Sequence, residues 1–278
     1  MTSASPRVLL IPGATGKLGR LMRRAWERAQ LPGWRPVWIG RQAATGVDVV
    51  WQPGNPAPCD ADAVLALWGV VPGGGDLDDN TTLARAAMAL GRESGAARVL
   101  QCSSSAVYGP GARLSEDTPC APANAYGAAK LAMEAVISKE TGKTGPPACA
   151  LRLANVVGAD SLFDALSSEA PMVIDRFADG QGPLRSYATP SGIWRAVETL
   201  LQAETLPGVI NVATPAPVGM DALARAAGRK FDWRDAPEGA LAEVALETGL
   251  LQGMSGDTAP VTPEEMISDW RQLKESRA

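Results

Sequence analysis

Histidine is missing from all 278 residues. That absence excludes imidazole acid–base catalysis and any zinc site built on imidazole nitrogen, so proton transfer falls to Tyr, Lys, Ser, Cys or a carboxylate. Aromatics make up only 5% of the chain, with three Tyr and three Phe beside eight Trp. Phenols available for chemistry are therefore few. The four cysteines, Cys59, Cys102, Cys120 and Cys149, show no C-x-x-C spacing and read as reduced thiols of a cytoplasmic protein. No apolar run has the length of a membrane span, and the run over residues 8–11 is too short for a signal peptide. A net charge of −4 with no basic cluster disfavours nucleic acid and anionic membranes as partners. Asp76, Asp78 and Asp79 precede a helical pattern, so they read as solvated acids at a helix start; no metal is expected.

What is present is an alternation. Short apolar, β-branched runs at residues 8–11, 36–40, 46–51, 62–71, 97–105 and 148–158 read as strands. Amphipathic stretches follow the first, fourth and fifth of them. This order predicts an α/β fold with a parallel sheet buried on both faces. Beyond residue 158 the pattern loosens, with a helix expected over 191–202, a strand over 208–213 and a last helix in "VTPEEMISDWRQL". Thr262 as N-cap, Pro263 after it and Glu265 completing a capping box mark the start of that helix.

Two motifs carry chemistry. "GATGKLG" places Gly13, Gly16 and Gly19 between a predicted strand and a predicted helix, where free backbone amides and the positive helix end suit a pyrophosphate. The second predicted strand ends in Arg41 where an NAD-selective site places an acid, and Asp48 is too far along to serve. This points to NADP, with NAD left open. "NAYGAAK" sets Tyr126 and Lys130 four residues apart, hence on one helix face. A nearby ammonium is expected to lower the phenol's pKa and make Tyr126 a proton shuttle. "QCSSSAVYG" ends the fifth strand with three serines at the carboxyl edge of the sheet, and a hydroxyl there can hold a substrate oxygen.

In their order, "GATGKLG", "SSSAVYG", "YGAAK" and "LRLANVVG" resemble the extended short-chain dehydrogenases/reductases, the NAD-dependent epimerase/dehydratase family, over nearly the whole chain. "FADGQGPLRSYATPSG" resembles a further segment of that family. The resemblance implies a Rossmann-type doubly wound parallel sheet in residues 1–154. It also implies a smaller C-terminal α/β substrate region in 155–278, from which a segment of about 185–213 returns to the first part. It further implies catalytic roles for Ser104, Tyr126 and Lys130, with Ser105 as the rival serine. The implied coenzyme-binding set is Gly13, Thr15, Gly16, Lys17, Leu18, Gly19, Arg41, Leu67, Trp68, Tyr126, Lys130 and Leu153. Ser104, Ser105, Asn155 and Arg185 would face the substrate, with Arg185 matching an arginine that contacts nucleotide-sugar phosphate. The helices around residues 84–93 and 128–137 would form a homodimer's four-helix bundle.

The departures narrow the chemistry. "ALWGVVPGGG" brings Trp68 and a glycine-rich loop to the coenzyme, with packing the leading role for that indole. Ser105 and Ala106 stand where dehydratases of the family carry acids, which removes 4,6-dehydration. "RSYATPSG" also lacks the acids of the family segment. Three functions remain: an NADP-dependent reductase or dehydrogenase of a small carbinol or ketone, a sugar-nucleotide epimerase retaining NAD, and a silent nucleotide-binding sensor.

Overall fold

The first strand, β1 (Arg7–Pro12), carries Leu9, Leu10 and Ile11 with no exposed surface, so both of its faces are covered. The computed structural model describes residues 5–142 and 145–275. After β1 come α1 (Lys17–Arg28), β2 (Trp34–Gly40), β3 (Val49–Val50), β4 (Ala63–Ala66) and α2 (Asp79–Glu93). Then follow β5 (Arg98–Ser104), a 3-10 turn at Ser105–Val107, β6 (Gly111–Leu114), α3 (Ala125–Glu140), β7 (Ala148–Leu153), β8 (Asn155–Val156) and α4 (Ser161–Ser167). The chain continues through β9 (Val173–Arg176), β10 (Leu184–Arg185), β11 (Tyr187–Ala188), α5 (Pro190–Gln202), β12 (Val209–Val212) and β13 (Val218–Gly219). It closes with α6 (Met220–Ala226), β14 (Asp232–Asp235), β15 (Glu243–Leu246), α7 (Gly249–Ser255) and α8 (Pro263–Glu275).

Seven strands form one parallel sheet in the order β12-β7-β5-β4-β1-β2-β3. The order reverses between β1 and β4, which opens a crevice at their carboxyl ends. Because the helices cover both faces, two apolar layers result. Leu9, Ile11, Leu65 and Leu100 pack with residues of α1 and α5 on one side; Leu10, Val64 and Val99 pack with α2 and α3 on the other. Trp194 of α5 anchors the first layer edge-on against Trp26 and Trp38, and its indole N–H donates to the Met22 carbonyl at 2.9 Å. Burying such a ring contributes on the order of 2–3 kcal/mol.

A second sheet, β13-β10-β15-β6, draws β6 from the first half of the chain and the other three strands from the second. Conversely, β12 and α5 join the main sheet and its helical layer. The expected strand over 46–51 shrinks to Val49–Val50, and two others stop well short of their expected ends. The run over 62–71 is extended only to Ala66, because the chain turns out across the crevice at residues 67–75. The run over 148–158 breaks at Ala154, where β8 leaves the main sheet to pair with β11. The expected capping box forms: Glu265 N–H donates to Thr262 Oγ1 at 3.2 Å, and Thr262 N–H to the Glu265 carboxylate at 2.8 Å. Among the described residues no helix is long and apolar enough to cross a membrane.

Candidate active site

The turn from β1 into α1 is built for close approach. A Cβ on Gly19 would stand 2.1 Å from the Gly13 carbonyl oxygen, and one on Gly13, at φ 103°, would stand 2.6 Å from the Trp68 nitrogen. Only glycine fits either place. Leu67 N–H donates to the Pro12 carbonyl at 2.9 Å, so the segment after β4 lies directly on this turn. Gly16 is the N-cap of α1 and offers no side chain, and no acid stands in the first turn. The helix therefore presents uncapped amides and its positive end at the crevice, which fits the phosphates of a dinucleotide. Thr15 and Lys17 are exposed here and Leu18 is half-buried. The Lys17 ammonium pairs with Asp164 of α4 at 2.6 Å, and the Thr15 carbonyl accepts from Arg20.

Arg41 follows β2 directly and is exposed. Asp48 is held elsewhere: its carboxylate accepts from Trp38 N–H at 2.8 Å, in the middle of β2. The end of β2 thus carries a cation and no acid. Trp68 stacks on Trp51 at 6.1 Å between ring centroids, consistent with a packing role. Leu153 is buried at the end of β7, in register with Ser104.

Ser104, Tyr126 and Lys130 come together at the carboxyl end of β5. Asn124 caps α3 by accepting from Gly127 N–H at 2.9 Å, which fixes the first turn and puts Tyr126 and Lys130 on one stripe. Ser104 hydrogen-bonds the Tyr126 phenol, and its oxygen also accepts from Ala106 N–H at 3.2 Å. Lys130 is buried. Its Nζ donates to the Cys102 carbonyl at 3.2 Å and lies 5.9 Å from the Tyr126 ring centroid. Ser105 follows in the 3-10 turn, half-buried.

The expectation that Lys130 lowers the Tyr126 pKa is corrected by the structure. Burial raises that pKa and outweighs the opposing bond from Ser104. The ammonium points at the Cys102 carbonyl rather than at the phenol, and burial lowers the Lys130 pKa in turn. Burial also pushes the Cys102 thiol up to about 12, so this cysteine stays neutral beside the site.

The residues expected to face a substrate are dispersed in their engagements. Asn155 opens β8, and its N–H donates to the Ser186 carbonyl at 3.2 Å. Arg185 is bound to main chain: Nη1 donates to the Leu184 and Ala242 carbonyls at 2.7 and 3.2 Å, and Nη2 to that of Leu241 at 2.7 Å. Tyr187 is wholly buried, and burial raises its pKa against an opposing side-chain bond from Asn155. No cluster of three or more His, Cys, Asp or Glu able to hold a metal occurs among the described residues.

Sequence reasoning missed Asn80. Fully buried in the first turn of α2, its amide bonds Val70 N–H at 3.1 Å and the Val70 and Leu77 carbonyls at 3.0 and 2.9 Å. It thereby pins the glycine-rich segment beside Lys130. The one available signal was an amide placed directly behind the acids of a helix start. Also missed was a buried polar chain from Ser103 and Glu134 through Arg152 and Tyr108 to Asn211.

Residues 68–197 match the sequence model described as the NAD dependent epimerase/dehydratase family. No curated protein matches. Among solved structures, a short-chain dehydrogenase/reductase superfamily protein from Agrobacterium tumefaciens with bound NAD superposes at a TM-score of 0.76 and 17% identity, over 96% of this chain and 97% of that one. The ADP-L-glycero-D-manno-heptose-6-epimerase of Helicobacter pylori gives 0.77 and 17%, over 98% and 97%. The UDP-N-acetylglucosamine 4-epimerase of Methanobrevibacter ruminantium M1, in complex with UDP-N-acetylmuramic acid, gives 0.76 and 18%, over 97% and 99%. At such identities the likeness is one of fold. The sequence likeness to the NAD dependent epimerase/dehydratase family is thus carried by residues 68–197, and the chain as a whole shares its fold with these structures.

Proposed function

We propose that this chain is an NAD(P)-dependent oxidoreductase in which Tyr126 exchanges a proton with the oxygen of a small or sugar-derived carbinol or ketone. The observation that carries this reading is the gathering of Ser104, Tyr126 and Lys130 on the sheet edge that also holds the glycine turn. When bound, a nicotinamide coenzyme supplies or accepts the hydride. Gly13, Thr15, Gly16, Lys17, Leu18 and Gly19 would seat its pyrophosphate, with Leu67, Trp68 and Leu153 alongside. Arg41, with no acid at the end of β2, favours the 2′-phosphate of NADP over NAD.

In reduction, Ser104 holds the substrate oxygen and Tyr126, kept protonated by its burial, donates to it. Lys130, held on the Cys102 carbonyl with Nζ 5.9 Å from the Tyr126 ring, favours the phenolate left behind through space rather than by a direct bond, and would also hold the coenzyme ribose. Ser105, Asn155 and Arg185 would line the substrate side, within the region formed by the second sheet and the helices after residue 155. We further assign the protein to the cytoplasm. A homodimer would form through α2 and α3, where Ala128, Ala132 and Ala135 leave an exposed stripe. A small substrate fits better than a nucleotide sugar, because three backbone carbonyls already occupy the Arg185 guanidinium.

The second reading is a nucleotide-sugar epimerase with retained NAD, favoured by the fold-wide likeness to two epimerases. A catalytically silent sensor ranks last, since the Ser–Tyr–Lys set is intact. Purified protein incubated with NADPH and a panel of small ketones and aldehydes decides among them. Coenzyme consumption that is abolished in Tyr126→Phe, with NADPH affinity within about twofold of wild type, is the expected result; an active Tyr126→Phe removes the phenol from the mechanism. Conversion of a UDP- or ADP-sugar with no net coenzyme change would select the epimerase.

A further inference from the structure

Three consecutive residues at the end of β5 meet three residues of α3 spaced one helical turn apart. Ser104 bonds Tyr126, the Cys102 carbonyl accepts from Lys130, and Ser103 Oγ donates to Glu134 Oε1 at 2.5 Å. The first two contacts belong to the site described above. The third does not, and it is the most heavily bonded. Arg152 of β7 grips the Glu134 carboxylate through Nε at 3.1 and 3.2 Å and through Nη2 at 2.8 Å. Both side chains are only 6% exposed.

The chain of bonds runs on to the second sheet. Arg152 Nη1 donates to the Tyr108 hydroxyl at 2.8 Å, which donates to Asn211 Oδ1 at 2.8 Å. Asn211 Nδ2 then holds the carbonyls of Leu114 and Glu247 at 2.8 and 2.9 Å. A buried ion pair gains little over well-packed apolar side chains, because desolvation offsets the attraction. Stability alone therefore gives no reason for charges at these positions. Their placement does: Lys130 and Glu134 are four residues apart, on the same stripe of α3.

We propose that Glu134 is a positioning residue, the fixed counter-charge that keeps Lys130 an ammonium and holds α3 in register with Ser104. The meaning for catalysis rests on the roles given above to Tyr126 and Lys130. Charged or titratable groups facing Lys130 are the Cys102 thiol from β5 and, on its own helix, Tyr126 and Glu134; Gly69 closes another side. Those facing Glu134 are Arg152 and Cys149 from β7, Cys120 from the loop before α3, and Lys130. Burial drives Lys130 toward the neutral amine; Cys102 and then Glu134 oppose it, and with the Cys102 thiol kept neutral by its own burial the Glu134 carboxylate is the charge that acts. Arg152 does not titrate, so neutralising Glu134 leaves Lys130 facing an uncompensated guanidinium.

The test needs no substrate. The chain has six lysines, so a protein labelled with 13C-lysine gives few enough signals to follow Lys130 through a pH titration, its resonance assigned by its loss in Lys130→Met. In Glu134→Gln the Lys130 midpoint is expected to fall by about one pH unit, and in Arg152→Met to rise by about as much. A merely structural role would move neither. Each variant decides alone should the other fail to fold: an unchanged midpoint in a folded variant overturns the proposal. Because turnover is not read, such a failure leaves the assignment of Tyr126 untouched, and an active Tyr126→Phe leaves the titration result standing.

Discussion

Gly127 lies so close to Ala106 that a Cβ on it would stand 2.2 Å from the Ala106 carbonyl oxygen. Pro122 closes the other side at 2.9 Å. The first turn of α3 can settle onto the Ser105–Val107 turn only because no side chain intervenes. That approach is what brings the Tyr126 phenol to Ser104.

Gly127→Ala should therefore cost about 1–3 kcal/mol of stability, since backbone rather than a flexible side chain must yield. It should also lower turnover more than NADPH affinity, because the coenzyme turn at Gly13 lies on other elements. Urea melts, coenzyme titration and initial rates on the same preparation check both parts. Unchanged stability would mean that α3 shifts freely.

Asn80→Leu removes three bonds that fix residues 70–77 and leaves Val70 N–H without its partner. The expected cost is about 1–3 kcal/mol, with faster proteolytic nicking in that segment. Limited digestion mapped by mass spectrometry reads the second effect. A wild-type cleavage pattern would show that the glycine-rich segment holds its shape without the amide.

Asp160, the N-cap of α4, has its carboxyl pushed up to about 6, chiefly by burial and against the bond from Phe163 N–H. A folded pKa above the unfolded one means that its contribution is intact below about pH 4 and is lost as pH rises through 6. Asp160→Asn keeps the cap and removes the titration. The variant should gain on wild type by about 1–2 kcal/mol between pH 5 and pH 8. Parallel thermal melts across that range measure the difference, and a gap that does not grow with pH would refute it.

Arg41→Ala should weaken NADPH by about tenfold while leaving NADH within about twofold, as expected for one charge-assisted contact to a 2′-phosphate. Fluorescence titration with both coenzymes measures the ratio. Equal losses would make Arg41 an ordinary surface residue and return the choice to NAD.

The amino-acid order by itself fixed what depends on neighbours along the chain. The run "VLLI" over residues 8–11 is apolar at every position and so demands cover on both faces; β1 meets that demand at Leu9, Leu10 and Ile11. The Thr262–Glu265 box needs only three residues of spacing, and it forms. The four-residue step from Tyr126 to Lys130 likewise sets them on one helix face whatever surrounds them. Tertiary structure decided what depends on distance through space and on exclusion of water. It ended β4 at Ala66, gave the Arg185 guanidinium to backbone carbonyls, and put β6 in the second sheet. It also reversed the expected shift at Tyr126, because a titrating group responds to its desolvation as well as to its nearest charge, and no spacing in a sequence reports how deeply a phenol is buried.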